Sequence, residues 1–151
     1  MRIKSGYRIG VISDTHNRWI PRIAKLFGDV DEIWHLGDVC QESILDELRA
    51  INPRLSVVLG NNDHGLTAPF SLDLERDGEC FHLTHILPQH PPYGADWVLF
   101  GHTHRPADEI ENKVHLFNPG SAGLANKGAP LSVGFLTRKK EGKFKAEIVR
   151  L

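Results

Sequence analysis

The stretch RIGVISDTH, from Arg8 to His16, decides the fold of the first half of the chain. Its apolar run is typical of a buried strand, and the polar residues that follow indicate a loop leaving that strand. Asp14 and His16 are therefore predicted to lie just beyond the carboxyl end of a core strand. Both residue types can bind a metal ion, so the segments that follow the next strands become informative.

The segments after this strand alternate between helical and extended patterns. Apolar residues at helical spacing predict a helix over residues 19–27, and residues 32–36 predict a second short strand. A second amphipathic helix is predicted over residues 42–51, where Asn52-Pro53 stops it, followed by a third strand over residues 55–59. This β-α-β-α-β order implies parallel strands joined by right-handed crossovers.

The second half of the chain changes to hairpin signals. Predicted strands flank turns at Asp77-Gly78, at residues 111–113 and at the basic stretch 137–143, and residues 96–100 predict a further buried strand. The predicted hairpin strands are residues 71–76, 79–84, 107–110, 114–117, 131–137 and 143–151. An α/β start followed by hairpins predicts a mixed α/β fold with two sheets packed face to face and helices outside. At 151 residues, we expect one domain spanning 1–151.

Three predicted strands of the first half end in potential metal ligands. Asp14 and His16 follow the first strand, Asp38 follows the second and Asn61 follows the third. Because loops after the carboxyl ends of parallel strands gather at one edge of a sheet, these donors are expected to meet there.

Two later strands deliver histidines that extend this set. His85 follows one strand, and His102 and His104 follow another in the stretch FGHTH. In extended backbone, residues two apart point to the same side, so both imidazoles of FGHTH are expected to face one target. The full set is seven mixed nitrogen and oxygen donors. Seven are too many for one ion but suit two ions that share a bridging carboxylate and leave positions for water.

Taken together, DxH, GD, GNxD, a lone His and GHTH, between about Ile9 and Ser121, resemble the calcineurin-like metallophosphoesterase superfamily. Its small single-domain bacterial and archaeal phosphodiesterases are the most similar group. The resemblance implies a four-layer αββα sandwich and a binuclear metal site. It also implies that Asp38 bridges two ions. The remaining ligands would be Asp14, His16 and His104 for one ion and Asn61, His85 and His102 for the other.

The resemblance implies a hydrolase that attacks a small phosphate ester in line with a metal-bridging hydroxide. Two ions, two aspartates and one hydroxide sum to a charge of about +1, which attracts a phosphate anion. The ligand types favour Mn, Fe, Zn, Co or Ni over Mg or Ca. We take two divalent ions, with manganese first, as the expected cofactors, and phosphodiesters rather than monoesters as substrates.

The chain departs from the family pattern where a leaving-group acid is expected. Phosphatases of the superfamily usually have Gly-Asn-His in the third motif, and Asn62, which cannot readily donate a proton, occupies the position of that His. Leu87 stands where small phosphodiesterases often carry another His. By position, Asn62 and Asp63 are the candidate catalytic residues, although Asp63 is expected to fix the loop or orient a ligand rather than bind metal. Residues 86–94, with three prolines, predict an ordered loop where the family has a helix.

Composition limits the partners and the location. A net charge of -1 and a pI near 6.7 give no attraction of the whole protein for nucleic acid or acidic membranes. Cys40 and Cys80 are too few for a disulfide framework or a cysteine-rich metal site. No apolar run approaches membrane-spanning length, and no signal-peptide pattern is visible, so a cytoplasmic location without a membrane partner is expected. The sequence does not decide whether the protein forms a homo-oligomer.

Two other functions compete with the enzyme. A non-catalytic protein-interaction scaffold is one, as in the retromer subunit of similar fold; the seven donors argue against it, whereas the missing acid at Asn62 argues for it. A metal-dependent nuclease is the other, and the absence of a visible basic groove argues against it.

Overall fold

The computed structural model describes residues 6–125, 128–139 and 143–151. Within these ranges the chain has two α-helices, and neither is long and apolar enough to cross a bilayer. The helices are α1 (Arg22–Leu26) and α2 (Glu42–Ile51). The strands are β1 (Arg8–Ile12), β2 (Glu32–His35), β3 (Leu55–Val57), β4 (Ser71–Arg76), β5 (Glu79–Thr84), β6 (Trp97–Leu99), β7 (Ala107–Glu111), β8 (Val114–Asn118), β9 (Ser132–Arg138) and β10 (Phe144–Arg150). The tip of the predicted basic turn, residues 140–142, lies outside the described residues.

The first sheet has the strand order β10-β9-β1-β2-β3. As predicted, β1, β2 and β3 are parallel, while β9 pairs antiparallel with β1. The third predicted hairpin, β9–β10, therefore extends the first sheet rather than the second. The reason lies in β1, which is buried and central, so its second edge needs a hydrogen-bonding partner that the first half of the chain does not supply.

The second sheet has the strand order β4-β5-β6-β8-β7. The two predicted hairpins, β4–β5 and β7–β8, lie at its edges and are confirmed. Asp77 and Gly78 both have positive φ, 55° and 85°, which is the backbone that a tight Asp-Gly hairpin turn requires. The centre of the sheet is parallel, because β6 pairs in parallel with both β5 and β8.

The core has two layers of apolar side chains. One layer fills the space between the sheets and includes Trp34, Phe81 and Phe117. The other lies between the first sheet and the two helices and includes Phe27 and Leu48. The predicted class, a mixed α/β fold with two facing sheets, is confirmed.

A glycine inside β1 allows one helix to approach the first sheet closely. An added Cβ at Gly10 would lie 2.9 Å from Cε1 of Phe27. Helix α1 is shorter than the predicted 19–27 because residues before a proline avoid helical backbone, and the helix begins only after Pro21.

The outer face of the second sheet carries no helix among the described residues. The connection from β5 to β6, residues 85–96, has no regular secondary structure, as its prolines predict. It lies near a small apolar cluster of Val98, Phe100 and Leu116. The outer helical layer that the family resemblance implies is thus an irregular segment in this chain.

A buried carboxylate links the two sheets. Glu32 in β2 accepts hydrogen bonds from Tyr7 Oη at 2.6 Å and Trp34 Nε1 at 2.8 Å. Arg76 in β4 donates to both of its oxygens, at 2.8 and 2.9 Å. Burial alone would raise the pKa of Glu32, but these donors outweigh it and lower that pKa. Both carboxylate oxygens of Glu32 are therefore hydrogen-bonded inside the core.

Candidate metal centre

The seven predicted donors lie on loops at one edge of the two sheets. Two follow β1, one follows β2, one lies in the segment after β3, one follows β5 and two follow β6. All of these strands are parallel within their own sheets, so their carboxyl ends meet as predicted.

Four of the donors form one tight group. The ligand atoms of Asp14, His16, Asp38 and His104 all lie within 4.8 Å of one another. His104 Nε2 is 3.3 Å from Asp14 Oδ1, and His16 Nε2 is 3.5 Å from Asp38 Oδ2. The two imidazole Nε2 atoms face each other at 3.1 Å. Convergent lone pairs at this spacing suit a shared cation.

The other three donors form a second group, which reaches Asp38 through His85. His85 Nδ1 donates to the carbonyl of Leu36 at 2.8 Å, which directs Nε2 toward Asp38 Oδ2 at 3.3 Å. The ring of His102 lies 5.2 Å from that of His85, and its Nδ1 is 3.1 Å from Asn61 Oδ1. Asp38 therefore has a neighbour from each group.

Two buried atoms of this edge lack hydrogen-bond partners. Asp14 Oδ1 and His85 Nε2 are the two such side-chain atoms among the described residues. A buried polar atom without a partner costs roughly 1–3 kcal/mol, so each calls for an explanation. Both carry lone pairs and both lie close to Asp38 or His104. The donor set, which combines carboxylates, an amide and imidazoles, fits divalent metal ions.

The charges at this edge support the same conclusion. Burial alone would raise the pKa of Asp38, yet the imidazole of His85, 3.3 Å from Oδ2, and two hydrogen bonds from Asn62 hold that pKa well below its usual range. Burial likewise opposes a proton on His85, but Asp38 and Asp14 outweigh it and raise the pKa of His85. His85 and the two carboxylates thus favour one another's charged forms, and a bound cation would take over that balance of charge.

Five of the seven donors have left-handed backbone. The φ angles are 57° at Asp14, 47° at His16, 57° at Asp38, 70° at His102 and 61° at His104. Asp and His enter this region more readily than most residues, at a cost of about 1 kcal/mol each. The expectation that the two FGHTH imidazoles share one side of an extended backbone is therefore wrong. The left-handed backbone sends His104 to the first group and His102 to the second.

The two candidate catalytic residues both hold Asp38. Asn62 donates from its backbone N to Asp38 Oδ1 and from Nδ2 to Asp38 Oδ2, each at 2.9 Å. Asp63 accepts from the backbone N–H groups of Asp38, Cys40 and Gly60, each at 2.8 Å. A Cβ at Gly60 would lie 2.2 Å from Asp38 Oδ1, so only glycine fits beside this carboxylate.

Several supporting residues were not singled out from the sequence as contacts of Asp14. Ser13 Oγ donates to Asp14 Oδ2 at 2.7 Å, and Ser121 Oγ donates to the Asp14 carbonyl at 3.0 Å. Asn118 Oδ1 accepts from the N–H of Gly120 and tightens the turn that places Ser121. For Asn118 and Ser121, the sequence signal is the run Asn-Pro-Gly-Ser at residues 118–121, which follows a strand as the ligand loops do.

A buried histidine supports the loop that carries Asp38. His35 Nδ1 accepts from the N–H of Gly37 at 3.0 Å, so its Nε2 carries the proton and donates to Thr15 Oγ1 at 3.1 Å. Burial lowers the pKa of His35 to about 3, which keeps the ring neutral. His35 therefore supports the loop as a neutral ring, with both of its nitrogens engaged by hydrogen bonds.

Curated relatives of the chain carry phosphoesterase names. A "probable metallophosphoesterase" of Methanothermobacter thermautotrophicus is 38% identical over 161 residues, covering 94% of this chain and 91% of the relative. A phosphodiesterase of Methanocaldococcus jannaschii is 30% identical over 161 residues, covering 89% of this chain and 95% of the relative.

Solved structures of the same fold extend to eukaryotes. Vacuolar protein sorting 29 of Cryptosporidium parvum matches 98% of this chain and 99% of its own with a TM-score of 0.78 at 18% identity, which is a likeness of fold. Residues 7–141 match the family described as the calcineurin-like phosphoesterase superfamily domain. With this match and the archaeal relatives, the chain belongs to the calcineurin-like phosphoesterase superfamily.

Proposed function

We propose that this chain is a phosphodiesterase that requires two divalent metal ions. The observation that carries the proposal is the pair of unpaired buried atoms, Asp14 Oδ1 and His85 Nε2, which lie 3.8 Å apart beside Asp38. A protein gains nothing from burying such atoms unless a ligand pairs them. The curated relatives support hydrolysis of phosphate esters as the reaction.

In this proposal Asp14, His16 and His104 hold one ion, and Asn61, His85 and His102 hold the other. Asp38 would lie between them as the shared ligand, which is supported by the approach of His16 and His85 to the same Oδ2 atom at 3.5 and 3.3 Å. When bound, the ions supply Lewis-acid activation of water for in-line attack and neutralise charge on the phosphate. Mn²⁺ is the expected ion, with Fe, Zn, Co and Ni as alternatives.

The role of the protein is to hold Asp38 ionised and correctly oriented. Asn62 donates hydrogen bonds to the Asp38 carboxylate from its backbone N–H and its side-chain amide. Asp63 accepts a hydrogen bond from the backbone N–H of Asp38 and so holds the loop in place. Because Asn62 uses its amide on Asp38 and is a poor acid, no proton donor stands at its position for the leaving group. A general acid contributes roughly 10²–10⁴ in rate, so esters with poor leaving groups should suffer most. Aryl phosphodiesters are therefore the preferred substrates, ahead of alkyl phosphomonoesters.

Asp38→Asn tests the bridging role. We expect both ions to be depleted and turnover of bis(4-nitrophenyl) phosphate to fall about 10³-fold or more, since several kcal/mol of charge stabilisation are lost. Elemental analysis and initial rates measure this, with His16→Ala as the matched variant that should weaken mainly one ion. Two ions retained in Asp38→Asn would contradict the bridging assignment.

Asn62→His tests the missing acid. The ratio of the alkyl monoester to the aryl diester value of kcat/KM should rise in this variant, provided that the new ring reaches the leaving oxygen. The ratio is the correct measure because both absolute rates also lose the hydrogen bond from Asn62 to Asp38. If the wild type already prefers alkyl monoesters, the missing-acid account is wrong.

A further inference from the structure

A cavity of about 300 Å³ opens beside the second group of donors. Its lining includes Leu59, Asn61, Phe70, Thr84, His85 and Ile86. Two of these, Asn61 and His85, are proposed ligands of the second ion. A phosphate held at the centre would therefore have one of its ester groups within reach of this cavity.

Large apolar side chains at the cavity are exposed rather than packed. Phe70 is 74% exposed and Ile86 is 52% exposed, and neither belongs to an apolar core cluster. Exposed apolar side chains next to a polar site are typical of a ligand-binding groove. Phe70 in particular has no packing role that would explain its size.

The backbone that carries these side chains is anchored. The carbonyl of Pro69, which directly precedes Phe70, accepts a hydrogen bond from the N–H of Leu59 at 2.8 Å. Thr84 Oγ1 donates to the carbonyl of Ile86 at 3.3 Å. Both hydrogen bonds lie close to the segments that carry Asn61 and His85, so they hold the backbone of Phe70 and Ile86 beside the centre.

Three polar side-chain atoms of the cavity already have partners, and a fourth, His85 Nε2, is assigned to the second ion. Asn61 Oδ1 lies 3.1 Å from His102 Nδ1, and His85 Nδ1 donates to Leu36. The hydroxyl hydrogen of Thr84 is used on Ile86. Few groups are left to read the hydrogen-bonding edge of a nucleobase or a sugar, so the group that fits here is apolar. A phenyl-sized ring fits the volume, and Phe70 offers it an aromatic face.

We infer that this cavity is a subsite for a flat apolar substituent of the phosphate ester, with Phe70 as its specificity-determining residue. The inference rests on the proposed function, because the metal centre is what places the phosphate beside the cavity. It assigns the substrate class to phosphodiesters that carry an aryl or similarly flat apolar group.

Binding of two phosphonates to the manganese-loaded protein tests the subsite without any turnover. Phenylphosphonate and methylphosphonate carry the same anion and differ in the group that would enter the cavity. By calorimetry, we expect the wild type to bind phenylphosphonate roughly three- to tenfold more tightly than methylphosphonate. In Phe70→Ala this ratio should fall below about two while the Kd for methylphosphonate stays the same, and exposure of Phe70 leaves the fold intact.

Tyr93→Ala is the matched control, because Tyr93 is a fully exposed aromatic residue that lines a different cavity. It should keep the wild-type ratio. A wild-type ratio near one, or an unchanged ratio in Phe70→Ala, would overturn the subsite. Selective binding of phenylphosphonate without hydrolysis of any aryl ester would support the subsite and sink the proposed function. Hydrolysis of aryl esters by a protein that binds phenylphosphonate and methylphosphonate equally well would support the proposed function and overturn the subsite.

Discussion

Two buried polar clusters of this chain differ in how completely their atoms are paired. Around Glu32, three residues donate four hydrogen bonds to two carboxylate oxygens, and the charge joins the two sheets. At the candidate metal centre, Asp14 Oδ1 and His85 Nε2 are equally buried but have no hydrogen-bond partner.

The difference separates a cluster that supports the fold from one that waits for a ligand. A complete network in a core contributes to rigidity and loses stability when one partner is removed. An incomplete network costs stability until a further group pairs its atoms. The two clusters should therefore respond in opposite ways to mutation and to metal ions.

The largest effect is expected from breaking the complete cluster. Arg76→Met leaves the buried charge of Glu32 without its cationic partner, which should lower the free energy of unfolding by about 3–5 kcal/mol. Urea unfolding in the presence of EDTA measures this. Arg49→Met removes an exposed ion pair with Glu42 and Asp46 and should cost at most about 1 kcal/mol. Equal losses in the two variants would show that the buried network around Glu32 contributes no more than an exposed ion pair.

Metal ions should sharpen the comparison by completing the second cluster. At a free Mn²⁺ concentration of a hundred times Kd, linkage predicts a gain of about 2.7 kcal/mol, or roughly 5–11 °C in Tm. The gain should be the same in Arg76→Met, because Glu32 and its partners are not proposed ligands, and it should vanish in Asp38→Asn. Thermal unfolding with Mn²⁺ and with EDTA provides the test. No Mn²⁺ response in the wild type would contradict the ligand assignment.

The smallest expected effect concerns pH. Burial lowers the pKa of His35 to about 3, so between its ordinary value of 6.5 and about 3 the unfolded chain binds a proton that the folded chain does not. Stability should therefore fall as the pH drops below 6.5, by up to about 1.4 kcal/mol per pH unit from His35, or about 2 kcal/mol between pH 6.5 and 5. The lowered pKa of Glu32 acts below its ordinary value of 4.5, so its stabilisation is lost only at lower pH.

His35→Gln isolates this contribution, because an amide can still donate and accept at the same place but does not titrate. Urea unfolding of the metal-free proteins between pH 7 and 5 should give a flatter profile for the variant. The raised pKa of His85 is common to both proteins and acts in the opposite direction. Identical pH profiles would show that His35 is not held neutral by the fold.

Most of the fold could be predicted from the sequence because its signals are local. The bounds of α2 and of the β4–β5 hairpin were predicted to the residue from periodicity and the Asp-Gly turn. The sheet that receives the β9–β10 hairpin could not be predicted, since it depends on which edge of β1 lacks a partner. The late start of α1 could have been predicted from Pro21, because the residue before a proline avoids helical backbone.

The candidate site was predicted as a set of residues but not as a geometry. Strand ends indicated which donors would meet, because all the relevant strands are parallel. The division of His102 and His104 between two groups depends on left-handed backbone, which no pattern of residue types states. The hydrogen bonds from Asn62 to Asp38 and the cavity at Phe70 each depend on segments that are distant in sequence. They could therefore be found only in the folded structure.

The left-handed backbone at five donors has an evolutionary consequence. At about 1 kcal/mol each, these residues together cost an amount comparable to a substantial part of the stability of a domain. A lineage that used the fold only as a scaffold could recover that stability by placing glycine or asparagine at these positions. This chain has Asp14, His16, Asp38, His102 and His104 there, so the proposed metal site is carried at the expense of part of the stability of the fold.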